Sequence, residues 1–231
     1  MKNLAIIPAR GGSKRIPRKN IREFFGKPII AYSIQNALDT GLFDEVMVST
    51  DDDEIAMIAG QYGANVPFLR SKETSDDFAT TADVLVEVIE SYRKQNKIFD
   101  NICCIYPASP LITPQHLLDG YNKLVNEKRT SVFPVVAFSY PVQRGLVIDN
   151  NGNTTMLFPE NAAKRSQDLQ MVYHDAGQWY WLSVKDFIKN KSIFSSNSAS
   201  LILPETQVQD IDTPEDWKIA ELKYEYLQSL K

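Results

Sequence analysis

A short apolar run followed by a glycine-containing basic loop constrains this chain more than any other stretch of its sequence. Leu4 to Ile7 is continuously apolar and precedes Pro8, which predicts a short buried strand. Gly11 and Gly12 come next and permit a tight turn in which backbone N–H groups approach a ligand closely. The positively charged residues of the stretch are Arg10, Lys14, Arg15, Arg18 and Lys19, with Arg22 just beyond it.

A strand that leads into such a loop is typical of a phosphate-binding site, because lysine and arginine side chains neutralise a polyphosphate. The whole chain carries 25 Lys and Arg against 29 Asp and Glu, so the basic cluster is a local enrichment. The glycines match neither G-x-x-x-x-G-K-[ST] nor G-x-G-x-x-G, so the pattern alone does not identify the phosphate compound. An ordinary basic surface loop is the alternative interpretation.

The composition narrows the class of protein. With 231 residues and 43% hydrophobic content, the chain has the size of one α/β domain. No apolar run approaches the roughly 20 residues that span a bilayer, and the first apolar run is too short for a secretory signal. Cys103 and Cys104 are adjacent in a predicted strand and point to opposite faces, which indicates a reduced, cytoplasmic protein. The net charge of −4 argues against a nucleic-acid-binding protein.

Helical and strand-like patterns alternate along the chain, which predicts a mostly parallel sheet with helices on both faces. Ligands of such sheets bind beyond the carboxyl ends of the strands, where Arg10, Asp51 and Arg70 are expected to lie. Pro134 within one predicted strand suggests an irregularity or an edge position. The predicted helices are 28–38, 53–62, 82–94, 114–127, 183–190 and 214–230, and the predicted strands are 43–50, 66–70, 98–106, 131–138 and 200–204.

Residues 140–172 interrupt this alternation. Two short apolar runs, 145–149 and 154–158, flank an Asn-Gly pair, and this arrangement predicts a β-hairpin. We interpret the segment as an insertion, which either covers the sheet edge or forms a contact with a second copy of the chain.

A second chemical centre lies near the end of the sequence. Asp210 and Asp212 are two residues apart, so both carboxylates point to the same face if the backbone is extended. Two converging carboxylates attract a hard cation such as Mg²⁺. Either aspartate could instead cap the last helix, but Thr213 and Pro214 are better suited to that start. We therefore predict capping by Thr213 and metal binding by the two aspartates.

Several motifs together resemble the CMP-sialic acid synthetases, the cytidylyltransferases that activate nonulosonic acids with CTP. The motifs are A-R-G-G-S-K-R-I-P-x-K-N after the first strand, S-D-x-x-A-T-T at 75–81, P-A-S-P-L at 107–111, R-x-Q-D-L from Arg165, Y-H-D-A-G at 173–177 and D-I-D-T at 210–213. The resemblance covers nearly the whole chain and implies a Rossmann-like nucleotidyltransferase domain over 1–231.

The resemblance also assigns roles to individual residues. It implies that CTP is bound by Arg10, Gly11, Gly12, Ser13, Asn20, Arg70 and Asp76. The implied catalytic residues are Arg10, Lys14, Lys19 and Asp212, with Mg²⁺ as cofactor on Asp210 and Asp212. The nine-carbon sugar acid would contact Tyr106, Arg165 and His174, with Arg165 as partner of its carboxylate. The family's insertion implies that 140–172 is a dimerisation arm of a homodimer.

Three departures bear on the sugar. Where sialic acid synthetases usually carry Gln, Arg and Arg, this chain has Tyr106, Ile112 and His174, and it resembles the pseudaminic acid branch instead. Pseudaminic acid is therefore the predicted substrate, with N-acetylneuraminate or legionaminic acid as alternatives. A different nucleotide, an octulosonic acid, or nucleotide binding without catalysis are more distant alternatives.

Overall fold

Seven strands form the central sheet of the computed structural model, which describes residues 1–76 and 78–230. In chain order, the strands are β1 (Asn3–Pro8), β2 (Glu23–Phe24), β3 (Lys27–Pro28), β4 (Glu45–Ser49), β5 (Asn101–Ile105), β6 (Ser131–Ala137), β7 (Leu146–Ile148), β8 (Thr154–Met156), β9 (Tyr173–Asp175), β10 (Trp179–Ser183) and β11 (Ser198–Ile202). The helices are α1 (Ile30–Asp39), α2 (Asp53–Gln61), α3 (Lys72–Ser75), α4 (Thr81–Lys94), α5 (Pro114–Asn126), α6 (Val184–Asn190) and α7 (Pro214–Ser229).

The strand order across the sheet is β11-β6-β10-β5-β1-β4, and β9 also pairs with β6. The neighbours β4, β1 and β5 are mutually parallel, as are β6 and β11. Strand β10 runs antiparallel between β5 and β6, and β9 is antiparallel to β6. The predicted mostly parallel sheet is confirmed, and the carboxyl ends of β1 and β5 lie side by side.

Helices cover both faces, as the alternating pattern predicted. Side chains of α1, α2 and α5 pack on one face of the sheet, and those of α4 and α6 pack on the other. Cys103 belongs to the first core and Cys104 to the second, and both are buried free thiols. Trp179 and Trp181 point to one face and Tyr180 to the opposite face, so all three aromatic residues are core. None of the described helices is both long and apolar enough to cross a membrane.

Two predicted elements are wrong. Residues 66–70 do not form a strand, and only Asn65 makes an isolated bridge to Met47. Pro67 lacks an N–H, so one of the donors that a strand beside β4 would use is missing from this segment. Pro28 does not begin a helix but pairs with Glu23 in the small β2–β3 hairpin, whose turn contains Gly26 at a φ of 81°.

Pro134 lies in an interior strand, so the edge position is wrong, whereas the irregularity is confirmed. The partner of β6 is interrupted here, because β9 pairs with Val135–Ala137 and β10 with 131–132. The interruption contains Gly177, whose φ is 61°, and Gln178, whose carbonyl accepts the Tyr106 N–H at 2.8 Å. It therefore places Gly177 next to the end of β5.

The last helix, α7, packs against the segment that follows β1. Trp217 and Ala220 are buried with Ile16 and Phe24, and the Arg22 guanidinium lies 4.6 Å from the Trp217 ring centre. The two ends of the sequence therefore meet in space, which brings the basic loop close to the residues before α7.

Candidate active site

A cleft of about 640 Å³ opens at the carboxyl ends of β1 and β5. The basic loop forms one wall, and the turn between β11 and α7 forms another. The remaining lining comes from the start of α4, the preceding loop and the residues after β5. Most of the predicted site residues line it: Arg10, Ser13, Lys14, Lys19, Asn20, Arg70, Asp76, Tyr106, Asp210 and Asp212.

Gly11 and Gly12 differ in their surroundings. The Gly11 N–H donates to Asp51 Oδ1 at 2.9 Å, so this donor holds the loop against the end of β4. A Cβ at Gly11 would lie 2.6 Å from Asp52 Oδ2, whereas a Cβ at Gly12 would meet nothing within 4 Å. Close approach of Asp52 therefore requires glycine at position 11. The predicted contact of both glycines with phosphate stays a prediction.

Arg18 belongs to the basic stretch of the sequence, but it is not among the residues that line the cleft. Its guanidinium contacts the carboxylates of Asp52 and Glu54 at the start of α2, with Nη2 3.0 Å from Asp52 Oδ1. Asp52 also caps α2 by accepting the Ile55 N–H at 3.0 Å. The hydrogen bond from Arg18 is the main reason that the pKa of Asp52 lies below its usual range. Asn20 completes the loop, because its buried amide donates to Arg10 O at 3.0 Å.

The basic loop contacts the aspartate pair directly. Arg15 Nη2 lies 2.8 Å from Asp212 Oδ1, and Lys19 Nζ lies 3.5 Å from the same oxygen. Lys19 Nζ also donates to Ile211 O at 2.6 Å. Residues that are almost 200 positions apart in sequence therefore share one side of the cleft.

The turn that carries the aspartates is held by the start of α7. Thr213 and Asp216 form the capping box, which confirms the capping role predicted for Thr213. Asp216 Oδ2 also accepts the Asp212 N–H at 3.1 Å. The Asp210 side chain is exposed but lies between the walls of the cleft, and the resulting loss of hydration raises its pKa. The neighbouring Asp212 charge raises the pKa of Asp210 further.

The aspartate pair suits a hard cation. The Asp212 charge contributes to the raised pKa of Asp210, and a bound metal ion would relieve this repulsion. Mg²⁺ typically takes one or two protein carboxylates together with water and substrate phosphate. Within 1–76 and 78–230, no three His, Cys, Asp or Glu residues are grouped as a complete metal site. The two carboxylates therefore fit a cation whose other ligands come from substrate and water.

A further wall of the cleft is built around Arg70 and Asp76. Arg70 is half-buried, and its Nε and Nη2 donate to Ser49 Oγ and Ser49 O at 3.1 and 2.6 Å. Burial lowers the pKa of Arg70, while the Asp51 and Glu87 charges oppose this shift. Arg10 Nη1 donates to Asp76 O at 3.0 Å, so the basic loop also contacts this wall.

Tyr106 lies at the base of the cleft and is anchored by its hydroxyl. This hydroxyl is 2.9 Å from Thr81 Oγ1, which belongs to the first turn of α4. Burial raises the pKa of Tyr106 to about 12, so the phenol is neutral at pH 7. The ring is edge-on to Tyr180, whose hydroxyl donates to Asp175 Oδ2 at 2.5 Å.

His174 lies in a second cavity of about 400 Å³, and Asp210 and Asp212 are the residues that line both cavities. Its ring packs edge-on against Phe138, and Nδ1 is 2.9 Å from Asp175 O. Arg165 lines neither of these two cavities, because its guanidinium pairs with Asp168 at 2.8 Å on the exposed 140–172 segment. A role of Arg165 in binding sugar stays a prediction.

Comparison with known proteins identifies the family. The cytidylyltransferase family model matches residues 4–216 of the chain. The chain belongs to the cytidylyltransferase family. It is 45% identical to a pseudaminic acid cytidylyltransferase of Campylobacter jejuni, over 97% of both chains. It is 35% identical to a CMP-N,N'-diacetyllegionaminic acid synthase of Legionella pneumophila, over 96% of this chain and 95% of that one.

A solved structure shows that the fold of this cytidylyltransferase is shared more widely. CMP:2-keto-3-deoxy-manno-octonic acid synthetase complexed with CTP superposes with a TM-score of 0.71 at 19% identity, covering 99% of this chain and 100% of that one. The predicted α/β fold and the predicted enzyme class are both confirmed.

Sequence reasoning missed several residues that shape the site of this cytidylyltransferase. Asp52 and Arg18 brace the basic loop, Arg15 contacts Asp212, and Thr81 anchors Tyr106. The charges of Arg15 and Arg18 were visible in the sequence, but their different partners, Asp212 for Arg15 and Asp52 for Arg18, were not. The Thr81 contact depends on how α4 packs on the face of the sheet, which no local pattern encodes.

Proposed function

We propose that this cytidylyltransferase joins CTP to a nonulosonic acid, preferably pseudaminic acid, and releases pyrophosphate and a CMP-sugar. The observation that carries the proposal is the direct contact of Arg15 and Lys19 with Asp212, which brings the basic loop and the carboxylate pair together in one cleft. Nucleotidyl transfer needs this combination, because it depends on positioning and on neutralising phosphate charge. A protein that only bound nucleotide would not need the paired carboxylates.

The basic wall of the cleft would hold the triphosphate. Arg10, Lys14 and Lys19 supply positive charge, while Gly11, Gly12 and Ser13 supply backbone close to the phosphates. Asn20 keeps the loop in shape through Arg10 O. Arg70 and Asp76 line a further wall of the cleft, where the nucleoside would lie.

Asp210 and Asp212 would hold Mg²⁺. The ion, when bound, would neutralise α-phosphate charge and lower the pKa of the attacking hydroxyl. Asp216 and Thr213 would keep Asp212 aimed at the cleft by fixing its turn.

The reaction would be an in-line displacement at the α-phosphorus. The 2-hydroxyl oxygen of the sugar acid forms the new P–O bond, its proton is lost to solvent, and the bond to the pyrophosphate oxygen breaks. Negative charge then develops on pyrophosphate, next to Arg10, Lys14 and Lys19. Removing any of these cations would raise the barrier to transfer more than it weakens the binding of sugar.

The sugar preference rests on Tyr106 and His174. Tyr106 offers a neutral hydroxyl and a ring face at the base of the cleft, and His174 lies beyond the aspartate pair. The 45% identity to a protein named pseudaminic acid cytidylyltransferase supports the same sugar. N-acetylneuraminate and legionaminic acid are the alternatives, and Arg165 would contribute if the 140–172 arm of a second copy reaches the site.

We also propose that the enzyme is a cytoplasmic homodimer. The arm carries the β7–β8 hairpin, on which Leu146 and Ile148 are 63% and 71% exposed. Such apolar exposure is typical of a contact surface. Analytical ultracentrifugation should show a dimer, and Leu146→Asp with Ile148→Asp should convert it to monomer. A wild-type monomer at micromolar concentration would refute this part.

Pyrophosphate release with CTP and Mg²⁺ tests the function. Asp212→Ala should abolish turnover and leave the thermal unfolding midpoint close to that of the wild type, because the side chain is not part of a core. Arg10→Ala should strongly reduce kcat/KM for CTP. Arg93→Ala, on the exposed side of α4, is the matched control and should keep wild-type kinetics. Full activity of Asp212→Ala would refute the metal assignment, and a folded wild type that binds CTP without turnover would favour a binding protein.

A further inference from the structure

We propose that Lys223 binds the carboxylate of the acceptor sugar acid and positions its hydroxyl for attack. The inference rests on the proposed function and names the residue that recognises the negative charge of the substrate. Lys223 lies on α7, lines the second cavity and is not part of the motifs that indicate the family.

The chemistry of the acceptor fixes where its carboxylate must lie. In the ring form of a nonulosonic acid, the 2-hydroxyl and the carboxylate are attached to the same carbon. When the hydroxyl is next to the α-phosphate and the Asp210–Asp212 pair, the carboxylate is also within a few bonds of that pair. A cation close to the aspartates, on the side away from the triphosphate, would therefore be well placed to hold it.

The second cavity meets this requirement, because it shares Asp210 and Asp212 with the nucleotide cleft. Its lining is otherwise strongly acidic, with Asp175, Glu205 and Asp216 in addition to the pair. An anionic sugar would be repelled from such a cavity unless a positive group faced it.

Lys223 supplies that positive group. Of the described residues that line the second cavity, it is the only lysine or arginine. Its Nζ donates to Val208 O at 2.7 Å, which fixes the side chain and uses one of the three hydrogens of the ammonium. Burial lowers the pKa of Lys223 and the Glu205 charge opposes this, so an additional anionic partner would be favourable.

The neighbouring cations are engaged elsewhere. Arg15 and Lys19 contact Asp212 from the nucleotide cleft, where the phosphates need them. Arg165 pairs with Asp168 and lines neither cavity. His174 lines the second cavity, but Nδ1 contacts Asp175 O and the ring packs on Phe138, so it offers at most one further donor.

The test compares Lys223→Met and Lys223→Arg with Lys218→Met, an exposed lysine of the same helix that pairs with Glu221. Steady-state pyrophosphate release would be measured with the sugar acid and CTP varied in turn. Because a charge-assisted hydrogen bond is lost, Lys223→Met should raise the KM for the sugar acid about ten- to hundredfold and change the KM for CTP less than about threefold. Lys223→Arg should recover part of the loss, and Lys218→Met should behave as wild type.

A substrate change separates recognition of charge from a merely structural role. The wild type should use the methyl ester of the sugar acid poorly, and Lys223→Met should use acid and ester with similar efficiency. If Lys223 only braced Val208, the variant would lose the same factor with both substrates, and the inference would be refuted. It would also be refuted if Arg165→Met, and not Lys223→Met, raised the sugar KM. Absence of turnover in the wild type would instead refute the proposed function itself.

Discussion

Replacing Gly11 by alanine perturbs the basic loop at a single, well-defined contact. The new Cβ would lie 2.6 Å from Asp52 Oδ2 and 3.1 Å from Asp52 Cβ, so the Asp52 side chain must move. That side chain accepts from Arg18 Nη2 and from the Ile55 N–H, both at 3.0 Å. Gly11→Ala therefore removes an N-cap and an ion pair together, although neither residue is mutated.

The size of the effect follows from these two contacts. Loss of an N-cap side chain costs about 1 kcal/mol, and a partly exposed ion pair contributes roughly 0.2–1 kcal/mol. Together they predict a loss of about 1–2 kcal/mol, which lowers the unfolding midpoint of a chain of this length by roughly 2–8 °C. The KM for CTP should also rise, because the loop that faces the triphosphate is displaced.

Thermal unfolding of matched variants tests this reasoning. Gly12→Ala is the control, because its Cβ meets no atom within 4 Å and its φ is not positive. It should leave the midpoint unchanged or raise it slightly, since alanine restricts the unfolded chain. In an Asp52→Ala background, Gly11→Ala should lose most of its effect. Equal destabilisation by Gly11→Ala and Gly12→Ala would refute the account of this contact.

Three further predictions follow from named contacts. Arg18 lowers the pKa of Asp52 in the folded protein, so ionised Asp52 stabilises the fold above about pH 4, and this stabilisation is lost as the pH falls through the lowered pKa. The free energy of unfolding of Arg18→Met, measured with urea, should therefore depend less on pH between about pH 5 and 2 than that of the wild type. Tyr106→Phe removes the contact with Thr81 and should raise the sugar KM by about two- to tenfold with little change for CTP, and an unchanged sugar KM would exclude the hydroxyl from the site. Thr213→Ala should cost about 1 kcal/mol of stability and lower kcat, because the capping box also holds the Asp212 N–H; unaltered kcat would separate the cap from catalysis.

The architecture was predictable where a local pattern has one interpretation. Apolar runs of strand length, helical spacing and the Thr213-Pro214 start gave the order of elements and the α/β class, because these signals are local. The adjacent cysteines predicted opposite faces correctly, since side chains alternate along any strand. Motif resemblance added the family and ten of the residues that line the cleft.

The rest depended on long-range packing. Residues 66–70 have the composition of a strand, but Pro67 removes a backbone donor, and Asn65 alone bridges to β4. The antiparallel direction of β10 could not be derived from its sequence, because direction is set by the connections and not by the side-chain pattern. The contact of Arg15 with Asp212 spans nearly the whole chain, and the position of Lys223 in a cavity that the aspartates also line depends on how α7 packs.

Identification of the product tests the central claim most directly. Purified enzyme would be incubated with CTP, Mg²⁺ and pseudaminic acid, N-acetylneuraminate or legionaminic acid, and the products would be analysed by mass spectrometry. We expect a CMP-sugar in stoichiometric balance with pyrophosphate, formed most efficiently from pseudaminic acid. Faster conversion of N-acetylneuraminate would contradict the interpretation of Tyr106 and His174. Absence of every CMP-sugar, from a folded protein that binds CTP, would contradict the claim that this cleft transfers a cytidylyl group to a nonulosonic acid.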